Sequence, residues 1–256
     1  MEIIVPIKQV PDLVEELEIN SEGTDLDREY LTYVMNEFDE QALEEAVLLK
    51  EATGGSVTAL TLDHGEADNL LYTAAAKGAD KLVKVTGEFD DVVPDSHALS
   101  SIVAGILSGR PFDLVLTGVQ AADDLDGQLG PLLASRMDLP HVSVVAAVTA
   151  GSGSVSVVQE YGGGVTAEIE VSTPAVIGIQ AARQTPRYAP ISRVRQMKQD
   201  VQIEEIAARD VNLARLDIRS LRKPVSSSHA EMLTGSTDAI ADRVVALLRE
   251  RGLVKA

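Results

Sequence analysis

The sequence predicts an α/β fold: three αβα layers around a mostly parallel sheet, with a β-hairpin and an irregular C-terminal arm ending in a helix. Three observations predict it. Short apolar, β-rich runs alternate with helix-period segments through the first two thirds of the chain. Two alternating runs then flank Gly162-Gly163-Gly164, as in a β-hairpin. Residues 183–235 lose this regularity before a last amphipathic stretch. The domain boundary therefore falls between 1–182, the α/β domain, and 183–256, a loop and arm that pack on something else. A loop-rich segment of this length is too long for an ordinary connection, and a partner subunit is the expected support.

Residues 3–7 read as the first strand. Phe38, Ala42, Ala46 and Leu49 recur at helical spacing in a segment closed by Gly54-Gly55. Strand 56–62, helix 67–77 stopped by Gly78, strand 81–85, helix 96–107 and strand 113–117 follow. Another helix runs from near Gly127 to Met137. Residues 154–161 and 165–171 form the hairpin, and 174–180 one more buried strand. Residues 203–208 and 212–218 are short ordered pieces. Ser236 or Thr237 caps the last helix, whose apolar face is Ile240, Val244, Leu247 and Leu248.

Composition narrows the function. The 256 residues hold 22 Lys+Arg against 40 Asp+Glu, a formal charge of −18 that argues against nucleic-acid binding. No apolar run approaches the ~20 residues of a membrane span, and the N-terminus reads as a strand rather than a signal peptide. With no cysteine, thiolate chemistry and disulfides are excluded, and the four histidines are scattered. The expectation is a soluble, cytoplasmic chain without membrane insertion.

The richest segment is Thr117-Gly118-Val119-Gln120-Ala121-Ala122-Asp123-Asp124-Leu125-Asp126-Gly127-Gln128-Leu129-Gly130. It lies between a buried strand and a helix, where free N–H groups make a phosphate site at the strand ends where such sheets bind ligands. Its aspartates repel phosphate unless they are turned away, paired or bridged, and a plain loop of solvated acids is the competing reading. Asn36-Glu37-Phe38-Asp39 is a helix start, with Asn36 or Asp39 as its cap and Glu44 and Glu45 solvated. The same four residues are also able to line the strand-end crevice. Residues 171–199 contain no acid and five basic residues, an asymmetry suited to an acidic partner or simply to a basic surface. No nucleophile elbow, paired-histidine motif or acid/base set emerges, so a binding or redox-carrier protein fits better than an enzyme.

These residues resemble the β subunit of electron transfer flavoproteins. The resemblance runs through Val5-Pro6-Ile7-Lys8-Gln9-Val10-Pro11-Asp12, Asn36-Glu37-Phe38-Asp39, Ala42-Leu43-Glu44-Glu45-Ala46, Lys77-Gly78-Ala79-Asp80, the Gly118-to-Gly130 loop, Pro174-Ala175-Val176 and Pro186-Arg187-Tyr188-Ala189. It implies an electron carrier without substrate turnover of its own. Its partners would be an FAD-carrying α subunit in a heterodimer, flavin-containing dehydrogenases, and a quinone reductase or other acceptor. It also implies a structural AMP, lined by Pro6, Asn36, Glu37, Phe38, Asp39, Leu62 and the loop from Gly118 to Leu129, with Phe38 approaching the FAD of the α subunit. Ile191 would anchor a partner-recognition loop that includes Arg187, Tyr188, Arg193 and Arg195.

Two positions depart from the family pattern. Leu13 stands where a tyrosine is common, and Gly127-Gln128-Leu129 replaces Asn-Gln-Thr. The second change keeps open an electron-bifurcating relative that binds a second FAD in place of AMP. A universal-stress-type adenine nucleotide module is the alternative of another class. Such modules end near ~150 residues, so the segment 183–256 weighs against it.

Overall fold

The computed structural model describes residues 1–89, 94–124, 127–208, 218–225, 230 and 232–254. In chain order these form β1 (Glu2–Pro6), β2 (Gln9–Pro11), β3 (Tyr33–Met35), α1 (Glu37–Thr53), β4 (Ser56–Leu62), α2 (Ala67–Lys77), β5 (Lys81–Thr86), α3 (Ser96–Leu107) and β6 (Leu114–Gly118). There follow α4 (Leu129–Met137), β7 (His141–Ala150), β8 (Ser154–Glu160), β9 (Thr166–Ser172), β10 (Ala175–Ile179), α5 (Ile191–Asp200), β11 (Ile203–Ala207) and α6 (Thr237–Glu250). The fold is α/β, with a mostly parallel central sheet, flanking helices, an antiparallel hairpin and a C-terminal helix.

The nine-stranded sheet has the order β11-β5-β4-β1-β6-β10-β7-β8-β9. Pairing is parallel from β11 to β7 and antiparallel across β7, β8 and β9. Side-chain alternation divides the core into two faces. Ile3, Val5, Leu114 and Leu116 point to the α1–α2 side, with Leu43, Ala46 and Leu71, and Met197 of α5 joins them. Ile4 and Val115 point to the other side, against Ile102, Val103 and Leu107 of α3 and Leu133 of α4. Strands built on both faces thus read as nearly unbroken apolar runs.

The chain moves outward from β1 through β4 to β5, then returns across the sheet to β6 on the other flank of β1. The order reverses between β1 and β6, and the crevice at such a switch point, beyond the strand carboxyl ends, is where open α/β sheets hold ligands.

Three elements differ from the sequence expectation. β7 was not expected. Val144 lies at φ 61° and the pairing shifts register between Val145 and Ala147, a bulge that breaks the two-residue period. Residues 183–235 are not irregular throughout: α5 is a helix, unrecognised because Met197 is its one buried residue. β11 pairs in parallel with β5 and extends the sheet. The first compact unit accordingly runs Met1–Arg219, beyond the expected boundary after residue 182. The unit Ser220–Ala256 contains α6, whose first turn is capped by Ser236, accepting from the Ala239 N–H at 3.3 Å. Most of the expected piece 212–218 lies outside the described residues.

Glu44 and Glu45, expected to be solvated, are buried at 4% and 0% exposure. Their carboxylates strap the chain that follows β10 onto α1. Glu45 accepts from the N–H groups of Val148 (2.8 Å) and Arg183 (3.0 Å) and from Arg183 Nε (2.8 Å). Glu44 accepts from Arg187 N at 2.9 Å and from its guanidinium, which also reaches Glu51 at 2.8 Å. Lys77 joins the same strap through Glu40, 2.6 Å away, and the Arg187 carbonyl. Helical spacing marks Glu44 and Glu45 as polar, but it does not show that a later strap returns to cover them.

Removing one partner of a buried pair leaves the other charge and the Val148 N–H unsatisfied, at a cost of about 3–5 kcal/mol. Glu45→Ala is therefore expected to lower Tm by ~6 °C or more, read by thermal melting. A loss below ~1 kcal/mol in a urea titration contradicts the strap.

Candidate functional site

Parallel strands bring their carboxyl ends to one edge, and most of the expected site residues gather there. Pro6 ends β1, Leu62 ends β4 and Gly118 ends β6. Asn36 precedes α1, whose first turn holds Glu37, Phe38 and Asp39. Gln128 precedes α4 and Leu129 begins it. Val119 to Asp124 link β6 towards α4, while Leu125 and Asp126 lie outside the described residues.

Asp39 ties these pieces together. Its fully enclosed carboxylate accepts the Lys8 N–H beyond β1 at 2.9 Å and the Gly118 N–H at the end of β6 at 3.3 Å. Burial pushes its pKa from the ordinary 3.8 up to about 7, against the downward pull of these hydrogen bonds, the Lys8 charge and the Asn36 side chain. Gly118 allows the approach: a Cβ there would stand 2.6 Å from Asp39 Oδ1 and 2.8 Å from Phe38 Cβ. Asn36 does not use its side chain as a helix cap. Its Nδ2 donates to the Gln120 carbonyl at 2.9 Å, and its N–H donates to the Lys8 carbonyl at 2.9 Å. Phe38 is half-buried and belongs to neither core face.

Asp123 and Asp124 in the loop are paired rather than free. Lys8 Nζ sits 2.5 Å from Asp123 and 3.1 Å from Asp124. Burial alone would lower the lysine's pKa, but the two carboxylates outweigh it and the net direction is upward. Gly127 adopts φ 60°, a left-handed turn where a Cβ would meet the Val119 carbonyl at 2.7 Å. The N-cap residue Gln128 makes no side-chain hydrogen bond to the first turn of α4, and among the described residues nothing caps the Leu129 and Gly130 N–H groups at the positive end of the helix dipole. Beside that turn lies the Thr117 hydroxyl, buried without a hydrogen-bond partner among the described residues, 3.1 Å from where a Gly130 Cβ would stand.

Thr117 opens the segment that the sequence marks as richest, but its unpartnered hydroxyl was not anticipated, nor was the pairing of Lys8 with the loop aspartates. Lys8 is the only basic residue before Arg28, at the end of a buried strand, which is a usable signal. A hydroxyl left without a partner has no sequence signal. His64 Nδ1 is likewise buried and unpartnered, in the turn after β4 whose carbonyl accepts from Gln9.

Not every expected residue joins the crevice. Ile191 begins α5 and is 67% exposed, and Tyr188 before it is 80% exposed. Arg193 and Arg195 lie on α5. Arg187, expected to guide encounter, has its charge engaged by Glu44 and Glu51. A separate cleft of about 470 Å³ lies between α2 and α5, bordered by Tyr72, Lys84, Arg195 and Lys198. Lys84 is already held there by Asp68 at 2.9 Å and Glu205 at 3.0 Å. Shape favours this cleft, but topology and unpaired donors favour the switch point, and the donors are the more specific signal.

Among the described residues no His/Cys/Asp/Glu group is arranged to hold a metal ion, and no helix is long and apolar enough to cross a membrane. The arrangement brings together helix N–H donors, a hydroxyl and two acids partly offset by a lysine. The electron transfer flavoprotein domain matches residues 24–211. The chain belongs to the electron transfer flavoprotein family. It is 31% identical to the electron transfer flavoprotein subunit beta of Methylophilus methylotrophus, over 98% of both chains. It is 28% identical to the subunit of the same name from Bacillus subtilis, over 99% of this chain and all of that one. The acryloyl-CoA reductase electron transfer subunit gamma of Anaerotignum propionicum is 32% identical over 87% of this chain and 84% of that one. Membership in this electron-transfer family sets aside the stand-alone nucleotide module.

The raised pKa of Asp39 has a definite linkage. Between pH 3.8 and about 7 the folded carboxyl keeps a proton that the unfolded one has lost, so its contribution to stability falls as pH rises through that window. Asp39→Asn removes the titration while leaving one backbone donor without an acceptor. The stability of the unmodified chain relative to this variant is expected to fall between pH 5 and pH 8 in urea titrations. A difference that is flat or rises shows a carboxylate still charged at pH 5.

Proposed function

We propose that the chain is the β subunit of an electron transfer flavoprotein, and that its switch-point crevice holds AMP as a structural ligand. Joined to an FAD-carrying α subunit, it would accept electrons from flavin dehydrogenases and pass them to a quinone reductase or another acceptor in the cytoplasm. The observation that carries the nucleotide reading is the unpartnered, buried Thr117 hydroxyl beside the uncapped first turn of α4. A phosphate there would satisfy the hydroxyl and the Leu129 and Gly130 N–H groups together. The α-bound FAD supplies the reversible electron transfer. In this reading Pro6, Leu62 and the backbone from Gly118 to Gln128 enclose the nucleotide, and Asn36 and Asp39 hold the crevice open at a fixed width. Half-buried Phe38 stands at its rim, in the position to meet the flavin.

The second reading, a bifurcating relative with a second FAD in place of AMP, is favoured by Leu129, which offers phosphate no side-chain hydroxyl. Denaturing the purified αβ complex and chromatographing the released nucleotides separates the two. One AMP and one FAD per complex is expected. Two FAD without AMP supports the second reading, and one FAD alone contradicts the nucleotide role of the crevice.

Ile191 is proposed as the anchor for the dehydrogenase. It is an exposed branched side chain at the start of α5, with Arg193 and Arg195 close by in the sequence. Apolar burial supplies affinity while the arginines steer encounter. Ile191→Ala is expected to slow dehydrogenase-driven flavin reduction several-fold, with Tm changed by less than ~1 °C because the side chain is not packed in the core. Unchanged transfer with a lowered Tm would remove Ile191 from the recognition role.

A further inference from the structure

We propose that Lys8 is the counter-ion that makes the β6–α4 loop compatible with a phosphate, and so sets nucleotide retention without touching the ligand. The inference rests on the AMP reading above. A loop bearing Asp123, Asp124 and Asp126 is a poor neighbour for a phosphate dianion, because like charges at close range oppose binding. Lys8 Nζ bridges Asp123 and Asp124, at 2.5 and 3.1 Å, and its ammonium is spent on them.

The lysine's main chain is held by protein groups alone. Its N–H donates to Asp39 Oδ2 at 2.9 Å and its carbonyl accepts the Asn36 N–H at 2.9 Å, so the main chain is fixed from both sides. The side chain is 22% exposed, against 28% and 17% for its two carboxylate partners, and solvent screens the trio only in part. The lysine thus engages two of the loop's carboxylates and reduces their repulsion of an anion at the first turn of α4, where the helix dipole favours negative charge.

Charge masking and direct contact predict different behaviour when the two acids are removed together with the lysine. In Lys8→Met the aliphatic stem stays and the charge goes, leaving two unpaired acids. AMP, titrated calorimetrically onto the nucleotide-free αβ complex, is expected to bind about tenfold or more weakly. Lys8→Arg is expected to bind nearly as the unmodified complex does. The triple variant Lys8→Met with Asp123→Asn and Asp124→Asn is expected to recover affinity, because the acids that needed masking are gone. Failure of the triple variant to recover, in complexes with unchanged far-UV circular dichroism, makes Lys8 a direct phosphate ligand and overturns the proposal. Unweakened binding by Lys8→Met also overturns it. If the unmodified complex binds no AMP, the nucleotide reading itself falls, and the inference with it.

Discussion

The architecture at the functional edge depends on one carboxylate. Asp39 accepts backbone N–H groups from the ends of β1 and β6, the two neighbouring strands between which the sheet changes direction. Helix α1 starts two residues earlier, so the same group fixes the helix to both strands. An enclosed carboxylate is costly, and its raised pKa expresses that cost. The return is a crevice whose floor cannot drift: Gly118 lies against Phe38 and Asp39, and Asn36 reaches across to Gln120. Preorganisation of this kind lowers the cost of ordering the site when a ligand binds.

The same economy recurs on the outer side of α1. Glu44 and Glu45 fasten the chain after β10 through Arg183 and Arg187, which delivers residues 188–191 to the surface at the start of α5. Glu40, Glu44, Glu45 and Glu51 thus serve the fold, and the strap they hold leads into the exposed residues at the start of α5.

How far all this was legible in the sequence depended on range. Strands and helices whose period reflects their own burial were readable, and helices 67–77 and 96–107 and strand 56–62 fall where expected. β7 was hidden by the bulge at Val144, and α5 by the scarcity of buried residues. At the candidate site, the β6–α4 loop and the α1 start were legible as segments at the strand ends, although Asn36 does not cap the helix as expected. Their electrostatics were not. Asp123 and Asp124 share a lysine more than a hundred positions away, and Glu45 is paired by a strap that returns 138 residues later. Local pattern carries no information about such long-range partners.

The central claim is that the crevice between β1 and β6 holds the nucleotide against the first turn of α4. The most direct measurement is an experimental structure of the αβ complex purified without added ligand. The account predicts adenine nucleotide density there, with a phosphate oxygen within hydrogen-bond distance of the Thr117 hydroxyl. Nucleotide density in the α2–α5 cleft instead, or a β1–β6 crevice that contains none, would contradict it.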